Sequence, residues 1–197
     1  MNNMNFSIIV GANNNNGIGL NGDLLYKSKT DMDFFKEITT TVHNSKNKNA
    51  VIMGRKTWES IPVKFRPLPD RLNVILTENN SQNLKNLENE NIIIMNNLPS
   101  SLEKLSKIDY IENIFIIGGE RLYKEAINNK YCQYIYFTNF NRNDLADTYF
   151  PIINSKNFEL ISECKKDNSI CKYLPLNQNI TVNLNFKLYK SLMRFIN

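Results

Sequence analysis

Short apolar runs separated by polar, glycine-bearing or proline-bearing stretches set the pattern of this chain. Phe6 to Ala12 is a compact apolar run and reads as a central strand. Val51-Ile52-Met53, Asn73 to Thr77, Ile92 to Met95, Ile114 to Ile117 and Tyr134 to Asn139 read as further strands. Helical signals lie between them. Thr30-Asp31-Met32-Asp33 has the form of a capping box, with Thr30 as N-cap and Asp33 at N3, and predicts a helix to about Thr41. Other helices are expected near 55–60, over Ser100 to Ser106 behind Pro99, and from Glu120 to about Asn128. Residues 13–29, 42–49 and the segment through Pro62, Pro67 and Pro69 read as loops. Two late runs, Phe158 to Lys165 and Ile180 to Tyr189, alternate apolar with polar and predict an antiparallel pair. Strands and helices alternate without a linker-like break, so residues 1–197 read as one α/β domain with a mostly parallel sheet.

Composition narrows the function classes. The net charge is +5, but the basic residues are scattered, with no run of four. Nucleic-acid binding calls for a dense basic stripe with interleaved aromatics, so no nucleic-acid partner is expected. Modest positive charge suits the steering of small polyanions. His43 is the only histidine, and Cys132, Cys164 and Cys171 form no CxxC pair. That leaves no metal cluster and no histidine-activated nucleophile. The thiols read as free, in a reducing compartment. The N-terminus has no charged leader and no span-length apolar stretch, so a cytoplasmic protein without membrane contact is expected. Asparagine is abundant, 34 residues clustered at Asn13–Asn16, Asn79–Asn97 and Asn177–Asn185, and most of it reads as drift in loops and on surfaces.

Three places carry candidate chemistry. In Asn49 to Leu76 a buried strand ends at Gly54, and Arg55-Lys56-Thr57 follow as the chain turns helical. A helix start offers free N–H groups and a positive dipole to phosphate, and two cations and a hydroxyl strengthen that. The same stretch ends in Arg71 behind Pro67-Leu68-Pro69-Asp70, a rigid loop suited to carboxylate capture, although a plain surface arginine fits the spacing as well. Trp58 reads as core. Gly118-Gly119 form a second strand–glycine–helix switch, open to close approach of a phosphate or to a tight turn. Asp31, Phe35 and Ile38 share one helix face and can line a pocket for a flat heterocycle. Burial would raise the Asp31 pKa and the helix N-terminus would lower it; the spacing leaves that balance open. Gly17-Ile-Gly19-Leu-Asn-Gly22 spells GxGxxG, but no helix follows it directly, so it reads as a glycine-rich loop over a site and not as a dinucleotide fingerprint.

Together these residues resemble the dihydrofolate reductases, in particular the fungal and protozoan forms. The likeness is close through Asn49 to Leu76. It recurs in Ile8-Ile9-Val10-Gly11-Ala12, Gly17-Ile18-Gly19, Thr30-Asp31, Phe34-Phe35-Lys36, Ile114 to Tyr123 and Asp147-Thr148-Tyr149-Phe150-Pro151. Only 78–112 and the chain end match weakly. The resemblance implies an eight-stranded, mostly parallel sheet with an antiparallel C-terminal strand and flanking helices. It implies hydride transfer from NADPH to C6 of 7,8-dihydrofolate with protonation at N5. Asp31 would hold the pterin, with Thr138 bonded to it. Phe35, Ile61 and Leu68 would sandwich the rings, Arg71 would take the glutamate carboxylate, and Ile9, Val10 and Ile117 would supply pocket backbone. Gly54, Arg55, Lys56, Thr57, Leu76 and Thr77 would take cofactor phosphates. Gly118 and Gly119, joined by a cis peptide, would take the pyrophosphate with Glu120, Arg121 and Leu122. Tyr123 would sit near the nicotinamide. Residues 13–26 would be a lid, with Ala12, Ile18, Gly22, Asp23 and Leu24 against the cofactor. Antifolates would bind the same pocket. The chain would act as a monomer, or as the reductase part of a thymidylate synthase fusion.

Three departures stand out. Leu25-Tyr26 replaces the family's Pro-Trp, and the Tyr26 hydroxyl is a candidate to reach the water that this Trp helps to hold near the acid. Glu78 stands where many relatives place Ser or Arg against the 2′-phosphate. The tail from Leu192 to Asn197 runs past the usual last strand. Two other readings stay open: a related reductase acting on a sugar phosphate of the riboflavin pathway, against which Asp31, Phe35 and Arg71 argue, and a non-catalytic pterin- or nucleotide-binding module.

Overall fold

A computed structural model describes residues 4–78 and 86–193. Asn79, Asn80 and Asn83 of the middle asparagine cluster and the last four residues of the tail lie outside the described residues. The strands are β1 (Phe6–Asn13), β2 (Gly17–Leu20), β3 (Asp23–Leu24), β4 (Tyr26–Ser28), β5 (Lys48–Gly54), β6 (Arg71–Leu76), β7 (Ile92–Met95), β8 (Ile111–Ile116), β9 (Cys132–Phe140), β10 (Thr148–Tyr149), β11 (Phe158–Tyr173) and β12 (Gln178–Ser191). The α-helices are α1 (Lys29–Thr40), α2 (Arg55–Ser60), α3 (Leu98–Leu105) and α4 (Glu120–Ile127).

One sheet runs in the order β4-β11-β12-β9-β1-β8-β5-β6-β7. Pairing is parallel from β9 to β7 and antiparallel at the β4-β11-β12-β9 end. The fold class is the expected α/β one. The sheet has nine strands among the described residues, the additional one being short β4, which pairs with β11 through Tyr26 to Ser28. A small second sheet, β10-β2-β3, forms within and beside the segment expected to be loop. The reason is Asn21-Gly22: both take positive φ (54° and 86°), the two-residue turn that closes a hairpin, with Leu20 paired to Asp23.

Strand alternation builds two apolar layers. Ile8, Val10, Ala50, Ile52, Val74 and Ile116 face α3 and α4. Ile9, Val51, Met53, Ile75 and Phe115 face the other way, toward Trp58 and the Phe34, Phe35 and Ile38 side of α1. Trp58 is core, as expected. A third cluster joins Leu25, Tyr26 and Phe140 to Cys171, Val182 and Leu184 at the antiparallel end.

Helix α1 starts earlier than the capping-box reading places it. Its N-cap is Ser28, whose hydroxyl accepts from the Asp31 N–H at 3.4 Å. Pairing of β4 with β11 holds Ser28 extended (φ −110°, ψ 129°), so the helix begins directly behind it. Asp33 instead accepts from Lys29 at 2.5 Å on the exposed face, and Asp31 takes the N3 position. Of the tail, Leu192 donates its N–H to Asn157 at 2.8 Å and Met193 packs on the core.

Candidate active site

Gly54 and Leu76 end β5 and β6, and Gly118 follows β8, at the C-terminal ends of the parallel strands where α/β sheets present their loops to ligands, whereas Arg71 opens β6 at the opposite end. The one buried acid of the site is Asp31. Gly11 of β1 pairs with Thr138 of β9, and the Asp31 carboxyl lies against this pair. A Cβ on Gly11 would stand 3.3 Å from Asp31 Oδ2 and 3.1 Å from Phe140 Cε2, so the missing side chain is what admits the carboxyl. Thr138, itself buried, hydrogen-bonds the carboxyl. Part of the residue reaches solvent, yet protein atoms crowd the carboxyl. Burial therefore pushes its pKa up to about 6, with Thr138 pulling the other way. The balance left open by the sequence falls on the side of burial.

An apolar wall continues from the acid. Phe35, Ile61, Leu68 and Ile117, all partly buried, pack with Ile9, Met53 and Trp58 in one cluster. Leu68 is held by Asn73, whose Oδ1 accepts from the Leu68 N–H and whose Nδ2 donates to the Leu68 carbonyl, both at 3.0 Å. Val10, expected to offer backbone to the pocket, turns its side chain into the α3–α4 layer.

Arg71 closes the far end. It is buried and not a surface arginine. Its Nε donates to the Pro69 carbonyl at 2.9 Å and Nη1 donates to Thr39 Oγ1 at 2.7 Å. Its guanidinium lies over the Phe35 ring, 5.7 Å from the centroid. Burial lowers its pKa to about 10, offset in part by Asp70. No carboxylate among the described residues is within ion-pair distance of it. A cation held rigid by neutral partners is a receptor for an incoming carboxylate.

The two glycine turns meet. Gly54, N-cap of α2, donates its N–H to the Gly118 carbonyl at 2.8 Å. Gly118-Gly119 is a cis peptide, and Gly119 is the N-cap of α4. Neither cap has a side-chain hydrogen bond. Gly118 has φ +122°, and a Cβ on Gly119 would come within 3.1 Å of Thr57 Oγ1. Lys56 is exposed beside this cradle, and Arg55 pairs with Glu59 at 2.8 Å. Arg121 pairs with Glu78 at 2.5 Å, and Glu120 with Lys124 at 2.6 Å. Leu122 and Tyr123 turn into the core, and the Tyr123 hydroxyl donates to the Ile9 carbonyl at 2.9 Å. Leu76 ends β6, and Thr77 donates its N–H to the Met95 carbonyl at 2.9 Å.

Ala12 is buried just before the segment 13–26, in which Asn13 is buried, Ile18 is half-buried, and Gly22, Asp23 and Leu24 are exposed at the hairpin tip. Tyr26 departs from its expected place. Its hydroxyl donates to Asp144 Oδ2 at 2.7 Å and so is engaged away from the acid. Burial and the Asp144 carboxylate both raise its pKa, so it is no proton donor near neutral pH. The other titratable candidates are equally unsuited. Burial pushes the Cys171 thiol up to about 11 and Cys132 up to about 12, and His43 sits on an exposed loop against Glu112 at 2.8 Å. No group of three metal-ligating side chains occurs among the described residues.

Several positioning residues escaped the sequence reading. Asn13, Asn49 and Asn73 are buried and do not belong to the asparagines read as surface drift. Asn13 Oδ1 accepts from the Gly17 N–H at 2.8 Å, and Asn49 Nδ2 donates to the Thr41 carbonyl at 2.8 Å. Each lies within or beside an apolar run, which was the available signal.

A family profile described as dihydrofolate reductase matches residues 5–182. The bifunctional dihydrofolate reductase-thymidylate synthase of Daucus carota is 40% identical over 157 residues, which cover 78% of this chain and 29% of that protein. That of Zea mays is 42% identical over 158 residues, covering 79% and 30%. The dihydrofolate reductase of Heliothis virescens is 33% identical over 194 residues, covering 98% of this chain and all of that protein. The chain thus spans under a third of the length of the bifunctional relatives.

Proposed function

The chain belongs to the dihydrofolate reductase family, and we propose that it reduces 7,8-dihydrofolate to 5,6,7,8-tetrahydrofolate with NADPH. The observation that carries this is a buried carboxyl, raised to about pKa 6, at one end of an apolar wall whose other end is Arg71, held by Thr39 and without a carboxylate partner among the described residues. Such an arrangement fits a flat, hydrogen-bonding heterocycle joined to a carboxylate tail.

Asp31 holds the amino-pyrimidine edge of the pterin and, being partly protonated near neutrality, favours protonation at N5. Thr138 keeps its carboxyl oriented. Phe35, Ile61 and Leu68 enclose the rings and exclude water, with the Ile9, Val10 and Ile117 backbone behind them. Arg71 binds the glutamate α-carboxylate. Tyr26 loses the catalytic role expected of it.

The cradle fits a dinucleotide, because any side chain at Gly119 would crowd Thr57 and Gly118 takes a φ that side chains disfavour. Gly54, Arg55, Lys56, Thr57, Leu76 and Thr77 hold one phosphate end. Gly118 to Leu122 hold the pyrophosphate, and Tyr123 supports the nicotinamide end with Ala12, Ile18, Gly22, Asp23 and Leu24. When bound, the cofactor supplies the hydride. Arg55 and Lys56 favour NADPH over NADH.

Among the described residues no helix is long and apolar enough to cross a membrane, and all three cysteines are free. We read the site of action as the cytoplasm, with the chain working alone or as the reductase part of a longer bifunctional protein. The test is a steady-state assay of dihydrofolate with each cofactor, followed by loss of NADPH absorbance. Turnover favouring NADPH is expected. Tight antifolate binding without turnover would overturn the catalytic reading, and equal efficiency with NADH the cofactor preference.

A further inference from the structure

Tyr26 ends the segment over the site, and its ring stacks on Phe140 with centroids 4.6 Å apart and planes at 21°. The Tyr26 hydroxyl is fixed by Asp144, which also accepts from Arg142 Nε at 2.5 Å and Nη2 at 2.9 Å. Arg142 holds the Asp144 carboxyl below the usual carboxylate range, so it stays an ionised acceptor. The Asp144 carbonyl accepts from Asn13 Nδ2 at 2.7 Å, and Asn14 donates its N–H to the Arg142 carbonyl at 2.9 Å. Both residues are thereby anchored to the segment that leaves β1. Phe140 is buried, and its ring edge and Asp31 Oδ2 both border the space above Gly11, 3.1 and 3.3 Å from where a Cβ would stand.

We propose that Asp144 is a positioning residue for Asp31: it fixes the Tyr26 ring on Phe140, which keeps the edge of Phe140 beside the carboxyl and water away from it. This rests on Asp31 being the acid of the proposed reaction. The stacked pair depends on the orientation of the tyrosine, which its hydrogen bond to Asp144 sets. With Asp144 gone the Tyr26 ring is released, Phe140 loosens, water reaches Asp31, and the acid becomes stronger.

Other groups facing Asp31 do not substitute for this. Tyr123 from α4 and Cys171 from β11 are both kept neutral by burial. Thr138 from β9 is a neutral donor, and Gly11 and Ala12 of β1 carry no charge. On α1 itself, Lys29 and Asp33 pair with each other in solvent, and beyond β4 the Arg142–Asp144 charges cancel locally.

The experiment follows the Asp31 carboxyl by carbon-13 NMR in the ligand-free protein, with Asp31→Asn to assign the signal. Wild type should titrate near pH 6. Asp144→Ala should lower the midpoint by on the order of one unit, which is tenfold in the acid constant. Tyr26→Phe retains every charge but loses the hydrogen bond, and it should shift the midpoint in the same direction by less. It also guards against misfolding of Asp144→Ala, because its folded structure changes by one hydroxyl. A shift in Asp144→Ala with none in Tyr26→Phe assigns the effect to lost charge and overturns the proposal, as does no shift in either. In turnover, the upper pH limit of kcat/KM should fall with the midpoint while KM for NADPH stays constant. If wild type does not turn over dihydrofolate, the proposed function fails while the titration still decides this proposal.

Discussion

Glu78 and Arg121 meet at 2.5 Å between the end of β6 and the first turn of α4, beside the two glycine turns. Both side chains are largely exposed, so the pair adds little to stability. What it does is occupy a cation next to the cradle and set an anion there. Glu78→Ser should lower KM for NADPH several-fold, leave KM for NADH unchanged and leave the melting temperature where it was. Parallel titrations with the two cofactors check this.

Asp31 should set both the pH profile and a stability cost. Its folded pKa of about 6 lies above the ordinary carboxyl value of 3.8, so the folded protein holds the proton more tightly than the unfolded chain. The carboxyl therefore favours folding below pH 3.8, and that contribution is lost as pH rises through about 6. Asp31→Asn should raise stability at pH 8 by up to about 3 kcal/mol and leave it unchanged near pH 3. The same variant should lose about 10²–10⁴-fold in kcat, and the rate of wild type should decline above pH 6. Denaturant melts and kinetics on one preparation test both statements.

Arg71 should act on the substrate tail alone. Arg71→Lys removes the planar fork that fits a carboxylate, so KM for dihydrofolate should rise at least tenfold with kcat little changed. A substrate analogue lacking the glutamate should show no difference between the two proteins. Thr39→Val should give a weaker form of the same defect, since Nη1 then loses its 2.7 Å partner.

Asn73 should matter for stability before it matters for chemistry. It is fully buried and makes three hydrogen bonds of 3.0 Å, two to Leu68 and one to the Arg71 carbonyl. Asn73→Ala leaves backbone groups of the 67–71 loop unpaired and should cost about 2–4 kcal/mol in urea melts. The surviving folded protein should show raised KM for dihydrofolate through a loosened Leu68 and Arg71.

Local signals carried most of the fold. Ile92 to Met95, 55–60 and the start of a helix at Glu120 follow directly from apolar run length and glycine placement. The stripe of Asp31, Phe35 and Ile38 was legible because helix spacing alone puts these residues on one face. Ser28 as the cap was not, because its extended backbone depends on pairing with Cys171, far away in the chain. Tyr26 was misplaced for the same reason, since its partner Asp144 lies 118 residues on. The Asn21-Gly22 pair is a two-residue hairpin signal, but Gly17 and Gly19 just before it weaken the strand pattern that should flank such a turn. The roles of the buried asparagines were not legible: a place in a strand does not reveal that Asn73 bridges three backbone groups, because two of them belong to Leu68 in the preceding loop.

The Gly54 to Gly118 hydrogen bond has a mechanical consequence. It buckles two separate strand–helix units together at their tips, so the two places offered to phosphate keep a fixed spacing before anything arrives. A dinucleotide would lose its own freedom on landing but would not have to organise the landing ground, which is where preorganisation lowers the free energy cost of association.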